Sequence, residues 1–338
     1  MADIPRGSVV LLGYDDYSGL IRKQLYKLFG AFPGLHIVDV GILRKANETF
    51  AQQVVRELVD GGMIVVLFGA PEDLSFSPFQ AYHEFHRGVS VVWITDRVTT
   101  AKPTKNRPGR LLDRLHNAPK QQLFHLSILG FQRHLSDPKL LMELQDQQVY
   151  DLANLGKVVR YPDDMEPLIR DADLMAVDLS VVKGGDAPGV LRPGPNGLDG
   201  ITLAQMVRYA GLSDKMQSIS FGGWVPSRDR MQLTAQMSAQ MIWYFLEGVS
   251  QRRGDFPVSM DGLVEYHVDL MHMNEHLVFW KSNKSGRWWM QVPISDDPEG
   301  MARHRLVACT YQDYQEACRD ELPERLLQAQ LRFRKGGA

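Results

Sequence analysis

Residues 63–68 read MIVVLF, six apolar side chains in a row, and this one pattern restricts the fold more than any other feature of the chain. A strand with one wet face alternates apolar and polar residues, whereas a strand apolar throughout is covered on both faces. Largely apolar runs recur at residues 8–12 (SVVLL), 89–94 (VSVVWI), 124–129, 174–177 (LMAV) and 216–221. Residues 36–40 (HIVDV) add a further strand and 158–161 an edge strand. Between these runs the apolar spacing becomes helical, at 19–29, 48–60, 78–86, 137–155, 202–210 and 231–247. Buried strands alternating with amphipathic helices predict an α/β fold, a parallel sheet between two helical layers. In open sheets of this kind ligands gather at the carboxyl ends of the strands.

Two segments break the rhythm. Residues 99–119 (TTAKPTKNRPGRLLDRLHNAP) open as a basic, proline-bearing connection. From Gly254 onward, runs at 266–270, 277–281 and 287–292 surround SNKSG, which predicts a hairpin with Gly286 in its turn. Residues 311–333 follow as one or two helices, with Pro323 at a helix start. The chain thus divides into an α/β part, residues 1–253, and a C-terminal hairpin-and-helix extension, residues 254–338, packed on it. Trp288 and Trp289 are adjacent, so on a strand they face opposite sides. One is expected in the core; the other is a candidate contact with a partner or a second copy of the chain.

Bulk composition excludes several classes. A net charge of -2 with 23% charged residues offers no electrostatic pull on nucleic acid. No apolar run approaches the ~20 residues of a membrane span, and the N-terminus lacks a signal-peptide pattern, so a cytoplasmic location is expected. Cys309 and Cys318 read as reduced thiols.

The candidate site begins at Asp178, which the run at 174–177 delivers to a strand end just before a Gly-Gly-Asp-Ala-Pro-Gly turn at 184–189. The strings RDADLMAVDLS, DAPG, PNGLDG, RYAGLSD and TAQMSAQMIWYFLEG occur in one order, followed in the tail by WKSNKSGRWWMQVP and CTYQDYQEA. In these the chain resembles the ureohydrolases (arginase, agmatinase, formimidoylglutamase), and within them formimidoylglutamase-like sequences of the Bacteroidetes type. The resemblance implies a three-layer arginase-like fold. It also implies a strand-end cleft where two Mn2+ ions, held by carboxylates and imidazoles, present a hydroxide to a guanidinium or amidine carbon.

The ligand positions of that family are altered here. Its first His corresponds to Glu72, in Gly69-Ala70-Pro71-Glu72-Asp73. Its D-A-H-x-D stretch corresponds to Thr95-Asp96-Arg97-Val98-Thr99, so that Thr95, Arg97 and Thr99 stand at ligand positions. Its D-x-D corresponds to Asp178 and Ser180, with Lys183 three residues on. The family's substrate-orienting Glu corresponds to Gly223. If the strand end stays extended, Asp96 points away from the face shared by 95, 97 and 99. Arg97 and Lys183 place positive charge where dications would sit, and are expected to pair with Glu72 or Asp178, or to bind an anion in their place.

The resulting expectation is a ureohydrolase-fold pseudoenzyme without cofactor, serving as a binding, regulatory or assembly component and homo-oligomeric or partnered through its extension. The alternative is a Mn-dependent hydrolase of linear amidines. A third reading is a metal-independent enzyme using Glu72, Arg97, Asp178 and Lys183. Outside this cleft, His272 and His276 have the i, i+4 spacing of a helical metal pair but lie beside a turn between strands. His83 and His86 are expected on a helix surface.

Overall fold

The computed structural model describes residues 4–30, 32–70, 78–79, 82, 88–100, 112–113, 123–147, 149–257, 260–271, 275–293 and 305–336. Glu72, His83, His86, His272 and most of the 99–119 connection lie outside them.

Eight strands form one parallel sheet: β1 (Val9–Gly13), β2 (Ile37–Ile42), β3 (Ile64–Ala70), β4 (Val89–Ile94), β5 (Leu123–Phe131), β6 (Tyr150–Asn154), β7 (Leu174–Asp178) and β8 (Ser218–Gly222). Their order is β2-β1-β3-β8-β7-β4-β5-β6. Every residue of β1, β3, β4, β7 and β8 is buried, as the unbroken apolar runs require. Alternate side chains feed two separate cores. Val9, Leu11, Val66, Phe68 and Val177 enter one; Val10, Leu12, Val65, Leu67 and Val91 enter the other. Each such side chain contributes about 1.5–3 kcal/mol by leaving water.

Helices α1 (Ser18–Leu25), α6 (Gly200–Leu212) and α7 (Leu233–Ser250) cover the first core, and α2 (Glu48–Asp60) covers the second. The short helices α3 (Pro138–Gln145), α4 (Leu155–Arg160) and α5 (Glu166–Arg170) flank the β6 side. Helices α6 and α7 meet through glycine: a Cβ on Gly211 would lie 2.3 Å from the Phe245 carbonyl oxygen.

One stretch differs from expectation. The helix predicted over 137–155 stops at Gln145, and the edge strand is Tyr150–Asn154 rather than 158–161. Asp137 caps α3 by accepting from the Lys139 and Leu140 N–H groups. Asn154 then ends β6 and caps α4 by accepting from Lys157 N–H. An edge strand, half exposed and polar at alternate places, has no continuous apolar run to mark it; pairing with β5 makes it a strand.

The C-terminal region is richer than a hairpin. Strands β9 (Leu263–Leu270), β10 (Glu275–Ser282), β11 (Trp288–Gln291) and β12 (Leu306–Cys309) form an antiparallel sheet ordered β12-β11-β10-β9. Two helices, α8 (Tyr311–Cys318) and α9 (Glu324–Gly336), follow. This unit docks at the amino ends of the main strands. Phe333 of α9 packs edge-on against Phe124 at the start of β5. Arg170, just ahead of β7, donates to the carbonyl oxygens of Trp288 and Cys309 at 3.1–3.2 Å.

Trp288 and Trp289 do face opposite ways, but both are buried. Trp288 joins the core beneath α8 and α9, and the Arg170 guanidinium lies 4.5 Å from the Trp289 ring centroid. The expected exposed indole is therefore absent at 289; a second element covers it. Among the described residues no helix is long and apolar enough to cross a membrane.

Candidate functional site

At the carboxyl end of β7, Asp178 has no exposed surface. Its Oδ1 accepts from the Ser180 N–H at 2.9 Å. Its Oδ2 accepts from Arg192 Nη2 at 2.7 Å and from the Thr95 hydroxyl at 3.3 Å. The same Arg192 nitrogen lies 3.3 Å from Oδ1 of Asp96, itself almost wholly buried. The other Asp96 oxygen accepts from Arg97, Nε at 2.9 Å and Nη2 at 2.6 Å. Two carboxylates and two guanidinia thus alternate across the ends of β4 and β7 in the order Arg97, Asp96, Arg192, Asp178.

The sequence suggested different partners. Arg97 pairs with its neighbour Asp96, and Lys183 turns outward to Asp186 at 3.4 Å, with a side chain 42% exposed. Asp96 does not point away from the cluster but stands inside it. The alternation argument failed because the pleat ends at Ile94. Beyond it the chain bends onto the segment after β5: Gln132 N–H donates to the Asp96 carbonyl, and Val98 N–H to the Ser136 hydroxyl. Of the other substituted positions, Thr95 touches Asp178. The Thr99 and Ser180 hydroxyls are buried with no hydrogen-bond partner among the described residues.

Arg192 was missed by sequence reasoning. Its signal was modest: it is the lone cation between Lys183 and Arg208, on the loop that leaves the Asp178 strand. Backbone bonds hold that loop over the cleft. Leu191 N–H donates to the Gly223 carbonyl at 2.8 Å, and Val225 N–H to the Gly189 carbonyl at 2.7 Å. Gly223 itself has φ of +85°, and a Cβ there would lie 2.7 Å from Asp178 Oδ1. A glycine is needed at this point, for its backbone and for the room it leaves the carboxylate.

Beside the cluster a cavity of about 460 Å3 opens between Gln132–His134, Asn154–Gly156 and the 195–197 turn, with Lys183 on its rim. Arg133, His134 and Lys183 give this mouth a basic character.

The donor set does not suit the two Mn2+ ions implied by the resemblance. Among the described residues it comprises two carboxylates, each already shared with a guanidinium, and hydroxyls; no group of three His, Cys, Asp or Glu is arranged to hold a metal ion. A dication ~4 Å from a guanidinium is repelled by about 8 kcal/mol at an effective dielectric of ~20. His276, whose spacing from His272 resembles a helical metal pair, lies on strand β10 as the predicted turn between strands implied, and bonds His267 and Asp269, each at 2.7 Å.

A model of the arginase family matches residues 19–247, a segment that ends before the C-terminal sheet. A formimidoylglutamase of Halalkalibacterium halodurans is 22% identical over 225 residues, 63% of this chain and 69% of that protein. Among solved structures, a Trypanosoma cruzi formiminoglutamase crystallised with Mn2+ superposes with a TM-score of 0.65 at 16% identity, over 73% of this chain and 94% of that one. Bacillus subtilis formimidoylglutamase gives 0.63 at 15% identity over 75% and 89%. Proclavaminate amidino hydrolase of Streptomyces clavuligerus gives 0.60 at 18% over 73% and 93%. Identities this low carry the fold alone.

Proposed function

The chain belongs to the arginase family, and from that premise we propose that it is a non-hydrolytic member whose strand-end cleft is closed by ion pairs and needs no metal. Its role on this reading is binding or assembly. One observation carries it: Arg192 Nη2 sits between Asp178 at 2.7 Å and Asp96 at 3.3 Å. Acids committed to a guanidinium are poor ligands for a dication and poor general bases, because each would first have to give up a charge-assisted hydrogen bond. The reactive hydroxide of a binuclear hydrolase depends on two metals lowering the pKa of bound water, and among the described residues of this cluster none replaces that.

The test is direct. Purified protein, with and without added Mn2+, is incubated with arginine, agmatine and formimidoylglutamate while urea, ammonia and formamide are measured. No release above buffer is expected, and elemental analysis should find no stoichiometric manganese. Turnover that disappears in Asp178→Ala would overturn the reading in favour of the relatives' hydrolytic chemistry.

For assembly, Trp288 and Trp289 are spent on packing. We propose the β9–β10 edge of the C-terminal sheet as the contact with a second copy. This contact would use the part of the Trp289 face that lies beyond Arg170, where Trp280, only partly buried, pairs across strands with Trp289 and the exposed His267 and His276 lie on the same face.

A further inference from the structure

Four polar side chains stand together on the exposed face of the C-terminal sheet, outside the segment matched by the family model. Glu265, His267 and Asp269 share one face of β9 because the strand period is two. His276 of β10 lies opposite Asp269 and diagonal to His267, whose direct partner is Val278. Asp269 Oδ1 is 2.7 Å from His276 Nδ1, and Glu265 Oε1 is 3.3 Å from His267 Nε2. The two inner nitrogens, His267 Nδ1 and His276 Nε2, are 2.7 Å apart, with ring centroids separated by 4.9 Å and planes inclined by 24°. The imidazoles thus meet edge to edge, each with a carboxylate at its back.

This order constrains the protons. An ionised carboxylate only accepts, so each outer nitrogen presents an N–H to its acid. In two neutral rings the inner nitrogens then both carry lone pairs, and these face one another across the gap. Facing lone pairs repel unless a cation lies between them, either a shared proton or a metal ion. We propose that His267 and His276 form a two-imidazole chelate for a divalent ion of the zinc type, which takes the place of that proton. A carboxylate behind each ring is the outer-shell arrangement that fixes imidazole orientation and raises ligand basicity at metal centres. Zinc–nitrogen bonds of ~2.0–2.1 Å in tetrahedral geometry separate two ligating nitrogens by about 3.3 Å, so the rings must open slightly. Both side chains are about half exposed and can turn without disturbing the core. Imidazole suits zinc, copper and nickel, whereas Mg2+ prefers oxygen ligands and Mn2+ is the weakest binder of its series. Two side chains enter the first shell and water completes it, which distinguishes this pair from the groups of three or more ligands that the described residues lack. Both ligands come from one chain, so the proposal depends neither on the strand-end cleft nor on the contact with a second copy.

Full-length wild type, His267→Ala, His276→Ala and Asp269→Asn, each stripped of metal with EDTA, are titrated calorimetrically with ZnCl2 and separately with MnCl2. Wild type should take up one more Zn2+ per chain than either histidine variant, saturably and at micromolar concentration, and should bind Mn2+ at least about tenfold more weakly. Asp269→Asn should keep that ion but hold it about tenfold less tightly, because only the orienting carboxylate is changed. Without metal all four proteins should unfold at similar temperatures, since the replaced side chains lie at the surface. Saturating ZnCl2 should raise the Tm of wild type and leave both histidine variants where they were. Should an alanine variant prove unstable, His267→Gln replaces it, with the same loss of the ion expected. The proposal is overturned if wild type has no saturable Zn2+ site, if the histidine variants bind as many Zn2+ ions as tightly as wild type does, or if the ion lost with His267 is Mn2+ in preference to Zn2+.

Discussion

Buried charge is used at both ends of the main sheet, to different ends. At the carboxyl ends, Asp96 and Asp178 share a guanidinium that reaches in from a loop on a side chain 20% exposed. At the amino ends, Arg170 is enclosed: its partners are the Trp288 and Cys309 carbonyls and Glu166, and its flat face lies on Trp289. Nearby, His125 of β5 meets Asp151 of β6 at 2.7 Å, and Arg332 of α9 reaches the same carboxylate oxygen at 3.5 Å. At the seam Arg170 and Arg332 cross between the two parts of the chain, to strand carbonyls and to a carboxylate. Charge at the cleft is paired within one small recess. The first arrangement is a joint; the second closes the strand-end cleft with ion pairs.

The largest effect should come from breaking the joint. Arg170→Met keeps much of the stem volume but takes this donor from the Trp288 and Cys309 carbonyls and leaves Glu166 to Arg287 at 3.6 Å, and should cost about 3–5 kcal/mol in urea unfolding. A cost below about 1 kcal/mol would mean that the extension is held by its apolar contacts alone.

Acid should act next, and at the seam. Burial would raise the Asp151 carboxyl, but His125, Arg332 and Arg325 outweigh it and hold it well below the ordinary carboxylate range. Burial, helped by the Arg332 charge and opposed by Asp151, pushes the His125 imidazole below its ordinary value. Both groups bind protons less readily folded than unfolded. Each therefore contributes stability that is complete above its unfolded-state value, about 6.5 for His and about 3.9 for Asp, and is lost as pH falls through the folded value. Unfolding free energy should decline in two stages below those points. Asp151→Asn should remove the lower stage and His125→Gln the upper; retention of both stages in both variants would locate the acid response elsewhere.

Smaller effects distinguish the rim from the recess. Lys183 and Asp186 form a half-exposed pair, so Lys183→Met should change stability by less than about 1 kcal/mol. A loss of about 3–5 kcal/mol, the size expected of a buried pair, would mean that Lys183 is held against the acids of the cleft instead. Smallest in stability, Trp280→Ser should lower the mass in solution from dimer to monomer with little change in Tm. An unchanged mass would leave the β9–β10 edge of the C-terminal sheet without the proposed contact.

Much of this molecule is legible from the chain alone, because burial on both faces writes itself as unbroken apolar runs. Residues 63–68, 89–94 and 174–177 named their strands, and the last named Asp178 as a strand-end acid. Adjacent Trp288 and Trp289 had to face opposite ways, since the strand period is two. What the chain could not state is which charges meet. Asp96 joined the cluster because the backbone leaves the pleat after Ile94, and Arg192 joined it because a loop pinned to Gly223 folds back across 14 residues of sequence to Asp178. Likewise β6 became a strand, and Trp289 became buried, only when β5 and Arg170 were brought beside them. Periodicity is a property of the backbone and is carried by neighbours in sequence. Ion pairing depends on where separate segments converge, and that is decided only by the tertiary structure.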